Sequence, residues 1–290
     1  MAKIDKDLIP VQALLIPKPI LYTGKILNWI SPFLASRFAA RLFLTPFKYK
    51  RPKREETIAV QSIKENVSIK KINREIIVYN YGESDKKILL VHGWSGSGTQ
   101  LSMIADQLLK TGYSTVSFDA PAHGQSPGKR SNMIHFIETI YQLEKTHGPF
   151  HAAIGHSLGG MSLLRATKFG LGLQKLVIIG TANSITKITK DFAKNLQLGD
   201  KTGKLMKQYF DQHYGENLDN YSGAISAEGI ETPTLVVHDK NDVDVHYSSA
   251  IEIESKLKNG KIILTEKLGH RKILGDKSII KEIVTFISES

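Results

Sequence analysis

Ile154-Gly155-His156-Ser157-Leu158-Gly159-Gly160 is the stretch on which the reading of this 290-residue chain turns. An apolar run ending at Ile154 leads into a serine with a glycine two residues away on either side, and residues 161–168 beyond it are helix formers without proline. A strand that turns abruptly into a helix strains the residue at the corner, whose neighbours must then carry almost no side chain. The stretch therefore predicts a strand-to-helix elbow with Ser157 exposed at the carboxyl end of its strand. A serine hydroxyl is a weak nucleophile at neutral pH. Chemistry there needs a base, a carboxylate to orient the base, and amide donors for a developing oxyanion.

Outward from the elbow, the chain alternates between two periods. Short β-compatible runs at 87–91, 114–118, 151–155, 175–180, 234–238 and 261–264 are separated by helical stretches at 100–110, 133–145, after Ser157, 248–257 and 278–287. Such spacing predicts βαβ units and an α/β fold with a mainly parallel central sheet and helices on both faces. Residues 57–72 and 75–79 predict an antiparallel opening with a turn near Asn73. Residues 184–228 break the rhythm: Ile185, Ile188, Phe192 and Leu196 share one helical face, as do Leu205, Met206, Tyr209 and Phe210. A small helical lid is expected there. Its apolar face is first of all core and only secondarily pocket lining.

Composition narrows the chemistry. The absence of cysteine excludes thiol catalysis, thiolate metal ligation and disulfides. Ten histidines occur without HExxH or a comparable ligand spacing, so neither a metal nor another cofactor is expected. The net charge of +11 is unevenly spread: residues 1–60 hold eleven Lys/Arg and four Asp/Glu, leaving +4 for the other 230 residues. The part that carries the chemistry is near neutral for its length and holds no nucleic-acid-binding motif, so no nucleic-acid partner is expected.

Ligands of open α/β sheets sit beyond the carboxyl ends of the strands, so the loops there carry the candidates. After 87–91 comes His92-Gly93-Trp94-Ser95-Gly96-Ser97-Gly98, whose glycines free backbone amides. After 114–118 comes Asp119-Ala120-Pro121-Ala122-His123-Gly124-Gln125-Ser126. After 234–238 comes Asp239-Lys240-Asn241-Asp242-Val243-Asp244, and after 261–264 comes Leu268-Gly269-His270. Serine, carboxylate and histidine follow one another in chain order, each after a strand.

With His92-Gly93-Trp94, Asp119-x-x-x-His123-Gly124-x-Ser126, Gly155-His156-Ser157-Leu158-Gly159-Gly160, Asp242 and Gly269-His270 in place, residues 75–290 resemble the α/β-hydrolase family, whose triad order is Ser, Asp, His. The resemblance implies Ser157 as nucleophile, His270 as base and Asp242 as the carboxylate on its imidazole. It implies the backbone N–H groups of Trp94 and Leu158 as the oxyanion hole. Three positions depart from the family: Asp239 and Ala122 stand where glycine is usual, and Val243 where proline is frequent. Asp239 and Asp244 therefore stay open as alternative acids. His92 and His156 are expected to hydrogen-bond within the scaffold, and His123 to be a packing and turn residue. The implied activity is hydrolysis of a small-molecule or lipid-like ester through an acyl-serine. Acyl transfer or thioester cleavage on the same triad, and a non-catalytic ligand-binding protein of the same fold, are the rival readings.

Residues 1–56 fall outside the resemblance and read as a basic, partly amphipathic N-terminal extension ahead of a hydrolase domain at 57–290. Prolines and charges interrupt 8–47, whose longest uncharged run, 26–36, is too short to span a bilayer. No signal-peptide layout is present, so a cytoplasmic location is expected. An amphipathic helix at 33–44, followed by the basic run 48–54, offers two outcomes: packing on the hydrolase body or lid, or peripheral contact with an anionic inner membrane surface. Packing is the favoured one, because Arg37 and Arg41 make only a narrow polar face.

Overall fold

The computed structural model of the protein describes residues 16–289; residues 1–15 of the expected extension, and residue 290, lie outside it. Two helices come first, α1 (Lys18–Ile30) and α2 (Pro32–Phe43). The prolines of this stretch punctuate it and do not dissolve it. Pro19 lies in the first turn of α1 and Pro32 in the first turn of α2, where the missing N–H has no intrahelical acceptor to lose. The helix expected at 33–44 is α2; α1 was not foreseen.

A short helix α3 (Glu56–Gln61) leads into β1 (Ile63–Ile69), so the strand expected from residue 57 begins six residues late. β2 (Arg74–Tyr81) pairs antiparallel with β1 after a turn in which Asn73 adopts φ 50°. There follow β3 (Lys87–Val91), α4 (Ser102–Lys110), β4 (Ser114–Asp119), α5 (Met133–His147), β5 (Ala152–His156), α6 (Leu158–Lys168) and β6 (Lys175–Ile179). The insertion holds α7 (Ile185–Asn195), α8 (Gly199–Tyr214), a 3-10 turn at Leu218–Tyr221 and α9 (Gly223–Ala227). The chain closes with β7 (Thr234–Asp239), α10 (Ser248–Glu254), β8 (Gly260–Thr265), α11 (Gly269–Lys272) and α12 (Lys277–Ser288).

The strands form one sheet in the order β1-β2-β4-β3-β5-β6-β7-β8. β2 also pairs antiparallel with β4, and every pair from β4 to β8 is parallel. Strands covered on both faces should be apolar without alternation. β3 shows why: Leu89 and Val91 pack with Phe136 and Ile140 of α5 and Leu163 of α6, while Ile88 and Leu90 pack with Ile104 and Leu108 of α4 and Ile283 of α12. Side chains set by the helix entries fix the ends. Asn132 accepts from the His135 N–H at 2.9 Å to start α5, and Asp276 accepts from the Ser278 and Ile279 N–H groups to start α12, each cap contributing about 1 kcal/mol.

A third cluster lies outside the sheet. Ala35, Ala39 and Ala40 of α2 pack against Leu196, Leu198, Met206 and Phe210 of the insertion. Three alanines on one face let the helices approach closely. Thr202 donates to the Asn28 side chain at 2.8 Å, tying α1 to α8.

Candidate active site

Ser157 stands at φ 53°, ψ −117° between β5 and α6, a conformation that costs free energy for any residue with a Cβ. The corner survives because the surroundings pin it. Its N–H donates to the Ile179 carbonyl of β6 at 2.8 Å, and its own carbonyl accepts the first bond of α6 from Met161. A Cβ on Gly159 would collide with the Val91 carbonyl oxygen, and one on Gly155 would lie 2.6 Å from the Gly160 nitrogen. The glycines of the elbow are there because backbone passes where side chains would be.

His270 follows β8, and its Nδ1 lies 2.7 Å from Oδ2 of Asp242, which follows β7. The carboxylate can only accept, so Nδ1 carries the proton and Nε2 keeps its lone pair. Both Asp242 oxygens are used: Oδ1 accepts from the Asp244 and Val245 N–H groups at 2.9 and 2.8 Å. His238 Nε2 lies 3.3 Å from Oδ2 and donates to the Val245 carbonyl at 2.9 Å. Burial opposes ionisation of Asp242, but the hydrogen bonds from His238, His270 and Val245 outweigh it and hold the carboxyl well below the usual carboxylate range.

The other two aspartates of that loop do different things. Asp239 Oδ1 accepts from the Asn241 N–H at 2.9 Å, and its Oδ2 from Thr265 Oγ1 at 2.7 Å and the Leu268 N–H at 3.0 Å. It therefore anchors the loop that carries His270. Asp244 contributes to the cavity wall. His156 donates from Nε2 to the His270 carbonyl at 2.9 Å; burial, then the neighbouring His270, pushes its pKa well below that of a free imidazole, so it is a neutral strut.

The glycine-rich loop after β3 is braced from several sides. The Gly93 N–H donates to Gln100 Oε1 at 2.9 Å, and His92 donates from Nδ1 to the Gly93 carbonyl while its Nε2 accepts from the Ala120 N–H at 3.0 Å. Among the described residues, no protein acceptor receives the N–H of Trp94 or Leu158, which leaves both for a ligand. Directly after the basic run 48–54, Glu55 is buried and accepts from Thr99 Oγ1 at 2.7 Å and Ser97 Oγ at 3.2 Å. The Phe47 N–H donates to Ser95 Oγ at 2.9 Å. His123, stacked edgewise on Trp94 at 5.0 Å and bonded through Nδ1 to the Pro121 carbonyl, is a packing residue.

Ser157, Leu158, Trp94 and His270 all line one cavity of about 460 Å³. Ile185, Ile188 and Phe192 of α7 and Phe210 and Tyr214 of α8 form an apolar wall, and Val243 and Val245 close another side. Phe43 and Leu44, at the end of α2, belong to it too. The Phe43 ring stacks on Trp94 at 6.3 Å and meets Phe192 edge-on at 5.1 Å. Sequence reading missed these two, as well as His238 and Gly180. Gly180 sits at φ 59° under the pair, where a Cβ would be 3.1 Å from His270 Nδ1. Only its position at the end of a strand hinted at it.

Comparison with known proteins bears on the fold. A family model described as the alpha/beta hydrolase fold matches residues 86–198, from β3 into the insertion. The chain has the α/β-hydrolase fold. Among solved structures, an esterase from Pyrococcus furiosus superposes with a TM-score of 0.64 at 15% identity, covering 83% of this chain and 98% of that one. A monoacylglycerol lipase from Paleococcus ferrophilus gives 0.59 at 20% identity, with 73% and 98% covered. A bromoperoxidase from Bacillus anthracis gives 0.61 at 16% identity, with 78% and 100% covered. No curated protein matches the sequence. Two departures from the α/β-hydrolase pattern now have structural consequences: Ala122 adopts φ 65° where the family's glycine would be unstrained, and Asp239 supplies the loop anchor described above.

Proposed function

We propose that the protein is a serine hydrolase that cleaves a carboxylic ester-type bond through an acyl-serine intermediate. The observation that carries this reading is the 2.7 Å contact between His270 Nδ1 and Asp242 Oδ2, with Ser157 and His270 on the wall of the same cavity. Ser157 attacks the carbonyl carbon while His270 takes its proton, and His270 returns that proton to the leaving alcohol. A water activated the same way then releases the acid. Asp242 holds the imidazole in the tautomer that keeps Nε2 basic. The N–H groups of Trp94 and Leu158 donate to the oxyanion, each contributing about 3–4 kcal/mol to the transition state.

The substrate is a small-molecule or lipid-like ester. An apolar cavity of about 460 Å³ accepts a medium-length acyl or alkyl chain, and its position against the α7 and α8 side chains makes the insertion a lid over the bound chain. The esterase and the monoacylglycerol lipase among the structural neighbours are consistent with such a substrate, and no cofactor enters the proposed reaction.

A fluorophosphonate probe tests the reading directly. It should label Ser157 in the native protein and not in Ser157→Ala, and nitrophenyl esters of graded chain length should be turned over by the first only. A folded native protein that neither reacts with the probe nor hydrolyses any ester would overturn the proposal in favour of a ligand-binding protein of the same fold.

A further inference from the structure

Helix α1 has two faces with different fates. Ile20, Gly24 and Leu27 turn toward α2 and the insertion, where Gly24 brings the backbone so close that a Cβ would lie 3.1 Å from a Leu198 methyl. At about 100° per residue, Tyr22, Ile26 and Trp29 fall on the opposite side. They are exposed, Trp29 by 87%. The stripe continues around the corner at Ser31 through Ile30, Phe33 and Leu34, all exposed. Six of the thirteen exposed large hydrophobic side chains among the described residues thus fall between 22 and 34, while the other seven are scattered from 47 to 251. Single exposed apolar residues need no explanation, but a contiguous stripe of six does.

The charges bordering the stripe identify what covers it. Residues 16–44 contain Lys18, Lys25, Arg37 and Arg41 and no acidic residue. On the helix wheel Lys18 and Lys25 fall along one border of the stripe. Arg37 lies over the Phe33 ring at 4.2 Å. A second copy of the chain packed symmetrically on this face would set these cations against one another. An anionic lipid surface would neutralise them and accept the tryptophan at its polar boundary.

We propose that the α1–α2 hairpin docks the protein on an anionic bilayer through Tyr22, Ile26, Trp29, Ile30, Phe33 and Leu34. The hairpin packs on the insertion with one face, as expected of the extension, and in this proposal meets lipid with the other. Phe33 and Phe43 are ten positions apart in α2, about 15 Å of helix, so docking holds the cavity wall within a lipid's length of the membrane. That consequence for the substrate rests on the hydrolase reading, whereas the docking itself does not.

The chain has two tryptophans, Trp29 and Trp94, so Trp94→Phe leaves Trp29 as the only indole reporter. With phosphatidylcholine vesicles containing phosphatidylserine, its emission should shift to shorter wavelength and the protein should co-sediment, less so as salt is raised. Trp29→Ser and Ile26→Ser should each weaken vesicle binding on the order of tenfold, and Lys25→Gln about fivefold. These exposed substitutions should leave the melting temperature and soluble-ester turnover unchanged, and Ser157→Ala should bind vesicles as the native chain does. An unshifted Trp29 emission with no co-sedimentation at low salt would overturn the proposal. So would concentration-dependent self-association, abolished by Trp29→Ser, in a protein that ignores vesicles.

Discussion

Asp242 and Asp239 stand three residues apart, both with saturated oxygens, yet their roles divide by what donates to them. Asp242 receives an imidazole that also faces the cavity, whereas Asp239 receives Thr265 and backbone amides and holds a loop in place. Asp242→Asn should therefore lower turnover by about four orders of magnitude, because an amide stabilises the wrong imidazole tautomer, and it should also cost stability, since the carboxylate accepts from the Asp244 and Val245 N–H groups too. Asp239→Asn weakens bonds to buried donors and should likewise cost about 1–3 kcal/mol of stability, but with a much smaller loss of turnover. Steady-state kinetics beside chemical denaturation separates the two. A larger kinetic loss at Asp239 would transfer the acid's role to it. The order of serine, aspartate and histidine was readable from sequence, but three aspartates within six residues could be told apart only by the direction of their side chains.

At the level of elements, the hairpin of α1 and α2 is the part least visible in advance. Its prolines look like interruptions in a hydropathy pattern, while in space they are helix starts. The reverse error occurred at 57–61, where Thr57, Ile58 and Val60 favour strand by intrinsic propensity but no neighbouring strand is available and a turn of helix buries Ile58 instead. Phe43 joins the hairpin to the chemistry through its rings' contacts with Trp94, Phe192 and Phe210. Phe43→Ala should destabilise the protein by about 2 kcal/mol, since the ring is only partly buried, and should enlarge the cavity beside Trp94. The ester chain-length profile should move toward longer or bulkier acyl groups. An unchanged profile would mean that the α2 end does not bound the substrate.

Across the whole molecule, several buried histidines are held neutral. Burial lowers the pKa of His92 and pushes those of His123 and His156 well down, and burial together with Arg74 lowers His135 to about 4. A group whose pKa is lower folded than unfolded binds more protons when unfolded, so stability rises with pH through that interval. His135 contributes fully above about pH 6.5, its contribution is lost as pH falls toward 4, and the other three add to the loss in the same direction. Denaturation at a series of pH values should show stability falling across that window. His135→Gln should flatten the slope by up to about 1.4 kcal/mol per pH unit. The same slope in both proteins would mean that His135 is protonated without unfolding.

The sequence by itself determined the sheet, the elbow and the order of Ser157, Asp242 and His270 along it. Periodicity, glycine placement and strand-end loops are local properties written into consecutive residues, as β3 and the Gly155 to Gly159 corner show. It also marked the insertion, through the shared faces of Ile185 to Leu196 and Leu205 to Phe210. Tertiary structure alone decided which aspartate meets His270, that His238 and Gly180 back the pair, and that Phe43, more than a hundred residues from Ser157 in the chain, lies on the wall of its cavity. Those contacts join segments far apart in sequence, and no period or spacing encodes them. They follow from helices burying their apolar faces against whatever surface the rest of the fold has left uncovered.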